Sequence, residues 1–492
     1  MQRATAVFIL LTAALLVYVA GAGVLWYFEP ANRAAFAGYE FVLAAAGFGL
    51  LLYLLSDRSP FSRESEPAFL ASAVLFFLAT RLLWVFLVPT QPVNDFLVLH
   101  NLAGTLSAGQ SVAGIGSGGN WPIFMYAWGY SLLLGGFYAV FGKAVLIAKL
   151  LNVTLGLCTL LGMYGCVRRL ISERVARASA AFFLAWPTQM TMTNIVAAEH
   201  VSLAATAAAL WLLSSQLHGP DAPPAATKRP WIRLLAAGAL LAVAYLSRFP
   251  MLVAFIAAVM TLVIARGFTR RLLVDAGAVV AGFLVMNVAF TVILATVYDV
   301  RLPGRSVAGN LLVGVNTASG GSWNAEDSAK LVAFPTFEAA NAWAMEESMR
   351  RIRAAPGATA KLVVKKAAKF WRTDEYGVWW GVETSVPPEA SAPYLRPLYH
   401  VTALFHSGIL VLAAIGAVGL AASAMRGPGL NLIVLPLIGG TLLHSVLEVQ
   451  TRYHYPFEPI LFVLAAIGAT RLFKRRAMPG PETEGYQRPE VR

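Results

Sequence analysis

The chain has 492 residues, of which 58% are hydrophobic and only 13% charged, about half the charged fraction of an ordinary soluble domain. Apolar runs of about twenty residues recur from end to end, each long enough to cross a hydrocarbon core roughly 30 Å thick. A soluble enzyme, a secreted disulfide scaffold and a disordered chain are therefore excluded, and the net charge of +13 bears on membrane orientation before it bears on nucleic acid.

In chain order, spans are predicted at 4–26, 36–55, 67–89, 144–167, 178–196, 201–216, 234–249, 250–265, 273–298, 398–423, 431–449 and 456–473. The fold class expected is all-α and polytopic, with about twelve transmembrane helices. With Arg3 placed inside, the inner loops collect Arg58 and Arg63, then Arg168, Arg169, Arg174 and Arg177, then Lys228, Arg229 and Arg233. Arg266, Arg270 and Arg271, Arg426, and the tail residues Arg471, Lys474, Arg475 and Arg476 follow on the same side. The short outer loops hold almost no basic residues. That asymmetry predicts both termini in the cytoplasm. Residues 1–24 also look like a signal peptide, although their apolar run is long for one, and cleavage would leave the remaining topology unchanged.

The apolar stretch 122–142 is long enough to span, but counting it would place the arginines of 168–177 outside. It is therefore expected to be juxtamembrane or re-entrant on the outer side, packed against other helices. Two large outer segments result, 90–143 and 299–397; the second is too long to be a bare connector. Within it, 336–354 and 358–372 read as helices separated by Pro356. Lys361, Lys365 and Lys369 share one face of the second, with Leu362, Val363 and Phe370 on another. This suits either a helix lying on anionic headgroups or the solvated face of a small extramembrane domain. Residues 474–492 read as a disordered cytoplasmic tail. Cys158 and Cys166 share one apolar run and read as packing residues.

Ionisable residues at a membrane boundary are costly and mark function. Asp95 follows the third span. Glu199 and His200 occupy one outer turn and Arg248 the next; Asp374 and Glu375 close the large loop; Arg452, Tyr453 and His454 form the last outer turn. Charges from five outer turns at one depth predict a single site at the outer surface. Each also has an ordinary use: Asp95 as a helix cap, Glu199 as a cap or an ion-pair partner, Arg248 and Arg452 as snorkelling side chains. Arg81, midway along the third span, faces either a polar cavity or an internal partner. Trp379 and Trp380 suit an interfacial belt as well as a substrate platform. No HExxH, CxxC or clear His/Asp ligand spacing occurs, so no metal site is expected. GIGSGG at 114–119 matches a nucleotide loop only loosely and outside a strand–helix context, and GxxxxGK[ST] is missing.

The ordered set of motifs resembles the GT-C membrane glycosyltransferases, close to the bacterial protein O-mannosyltransferase and lipid A aminoarabinose transferase type. It comprises NDFLVLHNLAG from Asn94, an apolar stretch ending in FGK, VRRLISER, AAEH, LSRFP, GNLLVGVNTASGGSWN at 309–324, and RYHYPFEP from Arg452. The chain departs from the pattern in having three spans before the acidic loop, and in reading Asn94–Asp95 where some relatives carry paired acids.

The resemblance implies a domain order. Two accessory helices occupy 1–66, a GT-C core 67–298, a periplasmic loop domain 299–397, C-terminal spans 398–473 and the tail 474–492. It further implies an inverting enzyme of the inner membrane, its site facing the periplasm. The donor would be a sugar on a polyprenyl monophosphate and the acceptor a hydroxyl of the cell envelope, with membrane lipids as surroundings and no nucleic acid partner. Asp95 would be the base, and Arg248 and Arg452 would bind the donor phosphate. Asn94, Glu199, His200, Asn316, Trp323, Asp374, Tyr453 and His454 would orient sugar or acceptor. No cofactor is required, although a divalent cation helped by Glu199 is compatible. A polymerase or ligase using lipid-diphosphate donors, or a transporter, is the alternative.

Overall fold

The computed structural model describes residues 2–27, 39–54, 64–110, 112, 128–217, 230–299, 307–423 and 427–472. The predicted disordered tail, the GIGSGG segment and the inner-loop residues Arg58, Arg63, Lys228, Arg229, Arg426, Lys474, Arg475 and Arg476 lie outside the described residues. Among the described residues all regular structure is helical. In chain order it runs α1 (Gln2–Tyr27), α2 (Tyr39–Leu54), α3 (Glu66–Leu87), α4 (Asn94–Ser107), α5 (Trp128–Phe141), α6 (Val145–Leu170), α7 (Glu173–Ala185), α8 (Pro187–Met192), α9 (Glu199–Ser214) and α10 (Pro230–Ser247). Then follow α11 (Leu252–Arg266), α12 (Arg270–Val297), α13 (Val307–Gly314), α14 (Ala325–Val332), α15 (Phe337–Ala354), α16 (Pro356–Phe370), α17 (Pro388–Ala421), α18 (Asn431–Val446) and α19 (Glu458–Leu472).

Nine helices among the described residues are long and apolar enough to cross a membrane. The twelve spans expected from sequence differ at three places. α2 and α9 are helices of 16 residues each, and the predicted span 178–196 is divided into α7 and α8. The break has a local cause. Pro187 has no N–H to give the Phe183 carbonyl and cannot continue the helix. Arg81, fully buried on α3, supplies what is lost: it donates to Leu184 O at 2.8 Å, Phe183 O at 3.3 Å and Gln189 Oε1 at 2.7 Å. The stretch 122–142 contains α5, whose 14 residues reach about 21 Å, too short to span alone; it packs on α4 and α10.

Small residues set the tightest crossings. A Cβ on Gly238 of α10 would lie 1.9 Å from Val279 O of α12, and one on Gly282 of α12 would lie 1.9 Å from Leu235 O of α10. Gly416 and Gly468 play the same part between α17 and α19. The first helix packs on α17 and α18, so the N-terminal and C-terminal spans share one core.

Helices α13 to α16 form the outer loop unit. Asn324 caps α14 through the Asp327 amide, and the buried Asp327 carboxylate accepts two hydrogen bonds from Arg351 of α15, at 2.7 and 3.0 Å. Leu362 and Phe370 of α16 are buried, with the helix packed against α18, which favours the domain-face reading of this helix over the lipid-lying one. Lys369 donates to Ser322 Oγ. Lys366 is buried and donates to Gly314 O at 2.8 Å and Val446 O at 3.1 Å; burial lowers its ammonium to about 7.

Candidate active site

The loop unit, the start of α4 and the outer ends of α10 and α18 enclose a cavity of about 740 Å³. Asp95 reaches it from the first turn of α4. Asn94 just before it adopts φ 47°, a left-handed conformation that Asn tolerates better than other non-glycine residues. The helix cap is Val93, with no side-chain cap bond, so the Asp95 carboxylate is not consumed by capping. It stays 43% exposed, with Arg452 Nη2 3.8 Å away.

Arg452 sits on the 3-10 turn Thr451–Phe457. It donates to the Tyr376 hydroxyl, and its buried Nε finds no partner among the described residues. Arg248 occupies the extended residue between α10 and the turn Phe249–Met251. Its guanidinium lies 2.9 Å from Glu199 Oε1, with the two side chains only 14% and 4% exposed. Tyr453 lies between the arginines, their guanidinium carbons 5.8 and 5.3 Å from its ring centre. Trp323, Trp379 and Trp380 add aromatic wall. The arrangement sets one exposed carboxylate beside two cations and aromatic faces, with apolar residues of α13 and α18 completing the lining. Such a pocket can take a proton at Asp95, hold an anion at the arginines and stack a sugar ring.

Of the predicted site residues, Asn94, Asp95, Arg248, Trp323, Arg452 and Tyr453 line this cavity. Glu199 stands behind it as the ion-pair partner of Arg248, which engages its carboxylate where a divalent metal ion would otherwise be held. Four other residues expected to orient ligand, His200, Asn316, Asp374 and His454, spend polar atoms within the protein. His200 is buried and bonded to Met192 O. Asn316 accepts from the Ala318 and Ser319 amides and donates to Asp327, which makes it a turn residue. Asp374 and His454 are buried together, Asp374 also accepting from the Trp186 indole at 2.6 Å.

Sequence reasoning missed His444 and Glu448, which both line the cavity. His444 is held by Glu448 O through Nδ1, stacks between Phe370 and Tyr453, and leaves its buried Nε2 without a partner among the described residues. A histidine and a glutamate four residues apart in an otherwise apolar run was the available signal. Sequence spacing also gave no metal set, whereas the structure brings Asp374, His406, His454 and Glu458 together, one ligand atom of each within 4.8 Å of the others.

Residues 120–294 match the family described as dolichyl-phosphate-mannose-protein mannosyltransferase. The resemblance to the GT-C glycosyltransferases stands. The GT-C match covers a little over a third of the chain; it includes Glu199, His200 and Arg248 and leaves Asp95 and Arg452 outside. No curated protein matches the chain. Among solved structures it is similar to the archaeal oligosaccharyltransferase AglB from Archaeoglobus fulgidus, in complex with an inhibitory peptide and a dolichol-phosphate. The identity is 13% and the TM-score 0.47, with 84% of this chain and 51% of that one covered, so the chain spans about half the length of that protein. It is also similar to ArnT from Cupriavidus metallidurans bound to undecaprenyl phosphate, at 15% identity, 82% and 77% coverage and a TM-score of 0.30.

Proposed function

We propose that the chain is an inverting glycosyltransferase that moves a sugar from a polyprenyl monophosphate to a hydroxyl acceptor at the periplasmic face of the inner membrane. The observation that carries this reading is the exposed Asp95 carboxylate 3.8 Å from Arg452 in the same cavity as Arg248. Asp95 takes the proton of the acceptor hydroxyl as its oxygen attacks the anomeric carbon. The bond from that carbon to the phosphate oxygen breaks, and the polyprenyl phosphate leaves with one more negative charge than it had in the donor. Arg452, with its unspent Nε–H, and Arg248 lie where that charge develops. Glu199 holds the Arg248 fork in place. A leaving group already this acidic needs no protonated carboxyl, so a single base suffices.

The test is transfer from radiolabelled polyprenyl-monophosphate sugars to an extract of envelope lipids and glycans, by purified protein in detergent. Asp95→Asn is expected to lower transfer by about 10²–10⁴ while donor binding persists. Transfer only from a lipid-diphosphate oligosaccharide, or full activity in Asp95→Asn, would overturn the reading.

A further inference from the structure

Four side chains from three separate stretches meet behind the cavity. His406 comes from the middle of α17. His454 and Glu458 lie four residues apart where the 3-10 turn enters α19. Asp374 comes from the segment after α16. Their side chains are at most 3% exposed. None of the four lines the cavity.

The proton inventory is what makes the group unusual. His454 Nδ1 is 2.7 Å from Phe370 O, and His406 Nε2 is 2.7 Å from Trp371 O. A carbonyl oxygen only accepts, so each of these nitrogens carries the hydrogen, which in a neutral imidazole leaves the other as a bare lone pair. Those lone pairs, His454 Nε2 and His406 Nδ1, face carboxylates. His454 Nε2 is 3.3 Å from both Asp374 Oδ1 and Glu458 Oε1, and His406 Nδ1 is 3.1 Å from Glu458 Oε1. His406 Nδ1 and both oxygens of Glu458 nevertheless make no aligned hydrogen bond. Of the close approaches, His454 Nε2 to Asp374 Oδ1 alone has hydrogen-bond geometry; approach without such alignment, as between His406 and Glu458, is expected of atoms that point at a common centre rather than at one another.

We infer that Asp374, His406, His454 and Glu458 bind one divalent transition-metal ion, with zinc favoured. Ligand bonds of about 2.0–2.1 Å in a tetrahedron set neighbouring donor atoms about 3.3–3.4 Å apart, close to the three shortest separations here, while all four donors lie within 4.8 Å of one another. Two carboxylates and two neutral imidazoles balance a 2+ charge, which a dry interior requires. Three of the four ligands already have outer partners: the Phe370 and Trp371 carbonyls fix the imidazoles, and the Trp186 indole fixes Asp374. Such partners orient metal-binding histidines and carboxylates in known sites. Four protein ligands and full burial make it a structural ion. Its position gives it a task. His454 is two residues from Arg452 and Asp374 two residues from Tyr376, so the ion fixes both ends of the Arg452–Tyr376 contact at the cavity wall. This inference stands apart from the identity of the sugar donor.

Metal content decides it. Protein purified without chelator and dialysed against zinc is expected to hold one zinc per chain, with an X-ray absorption edge showing nitrogen and oxygen neighbours at about 2.0–2.1 Å and imidazole scattering. The His406→Asn/Glu458→Gln variant should lose more than about tenfold of that content, while Asp95→Asn keeps it. Because the double variant could fail to fold, cobalt(II) added to chelator-stripped wild-type protein gives the second reading: tetrahedral visible bands are expected at one equivalent. No metal taken up by the wild type, octahedral cobalt only, or zinc fully retained by a folded double variant would overturn the inference.

Discussion

The Arg248–Glu199 pair separates a structural from a chemical role. Replacing Arg248 by Met removes the guanidinium 2.9 Å from a carboxylate whose side chain is 4% exposed, leaving only the weaker influence of Arg452. Breaking one side of a buried pair costs roughly 3–5 kcal/mol, whereas replacing both sides with neutral groups of similar volume is close to neutral. Arg248→Met should therefore destabilise by about 3–5 kcal/mol. The double variant Glu199→Gln/Arg248→Met should return to within about 1 kcal/mol of the parent, a coupling far above the ~0.5 kcal/mol scatter of independent sites. Unfolding of all four proteins in one detergent, followed by tryptophan fluorescence, gives the cycle. Sugar transfer should not recover with stability, because the donor phosphate still lacks one of its two cations. Additive stability costs, or a double variant that regains transfer, would refute the reasoning.

Other outcomes follow from geometry already described. Arg81→Met strands the Leu184 carbonyl and Gln189 Oε1 and leaves Phe183 O only the Trp186 amide, at about 1–3 kcal/mol for each buried group left unpaired; amide exchange should rise first around 183–192. Gly238→Ala forces α10 and α12 apart, since the new Cβ would meet Val279 O at 1.9 Å, and should lower thermal stability by about 1–3 kcal/mol or more. In the loop unit, Arg351, Asn316 and Asn324 oppose the cost of burying Asp327 and lower its pKa to about 2 from 3.8. A depressed carboxyl stabilises fully above its unfolded pKa, and that contribution fades as pH falls through the folded value. Protease resistance of 307–370 should therefore hold at pH 5 and fail as pH falls from about 4 to about 2, and Arg351→Met should remove this dependence.

The spans and the cavity residues were legible where one residue type is costly in its surroundings. Arg248 and Arg452 stand out against apolar neighbours, and Asp95 follows a proline-bearing loop, so all three could be placed from sequence. The division at Pro187 was not legible, because the donor that makes it tolerable, Arg81, lies more than a hundred residues away. His200 and Asn316 looked available because sequence does not tell which polar atoms a fold will spend on its own backbone. The metal-type group stayed hidden for a related reason: its ligands at 374, 406, 454 and 458 show no short spacing beyond one i,i+4 pair.

The short helix α9 has a consequence for the field in the cavity. Its 16 residues span about 24 Å, between α6 with 26 residues and α10. Its C-terminal end is held by Arg169 of α6 on Trp211 O and, just beyond the helix, Arg266 of α11 on Gln216 O. The helix is therefore about 6 Å shorter than a hydrocarbon core roughly 30 Å thick, and Glu199 meets Arg248 at its opposite end. The pair lies at the base of the cavity, whose walls are the loop unit, the start of α4 and the ends of α10 and α18. Walls of low dielectric channel field lines along the opening instead of letting them spread into water. Arg248 and Arg452 thus act on an arriving anion over a longer reach, and with less screening by salt, than the same charges on a flat surface. The short helix and the loop unit that closes the cavity together set how strongly this protein attracts negative charge.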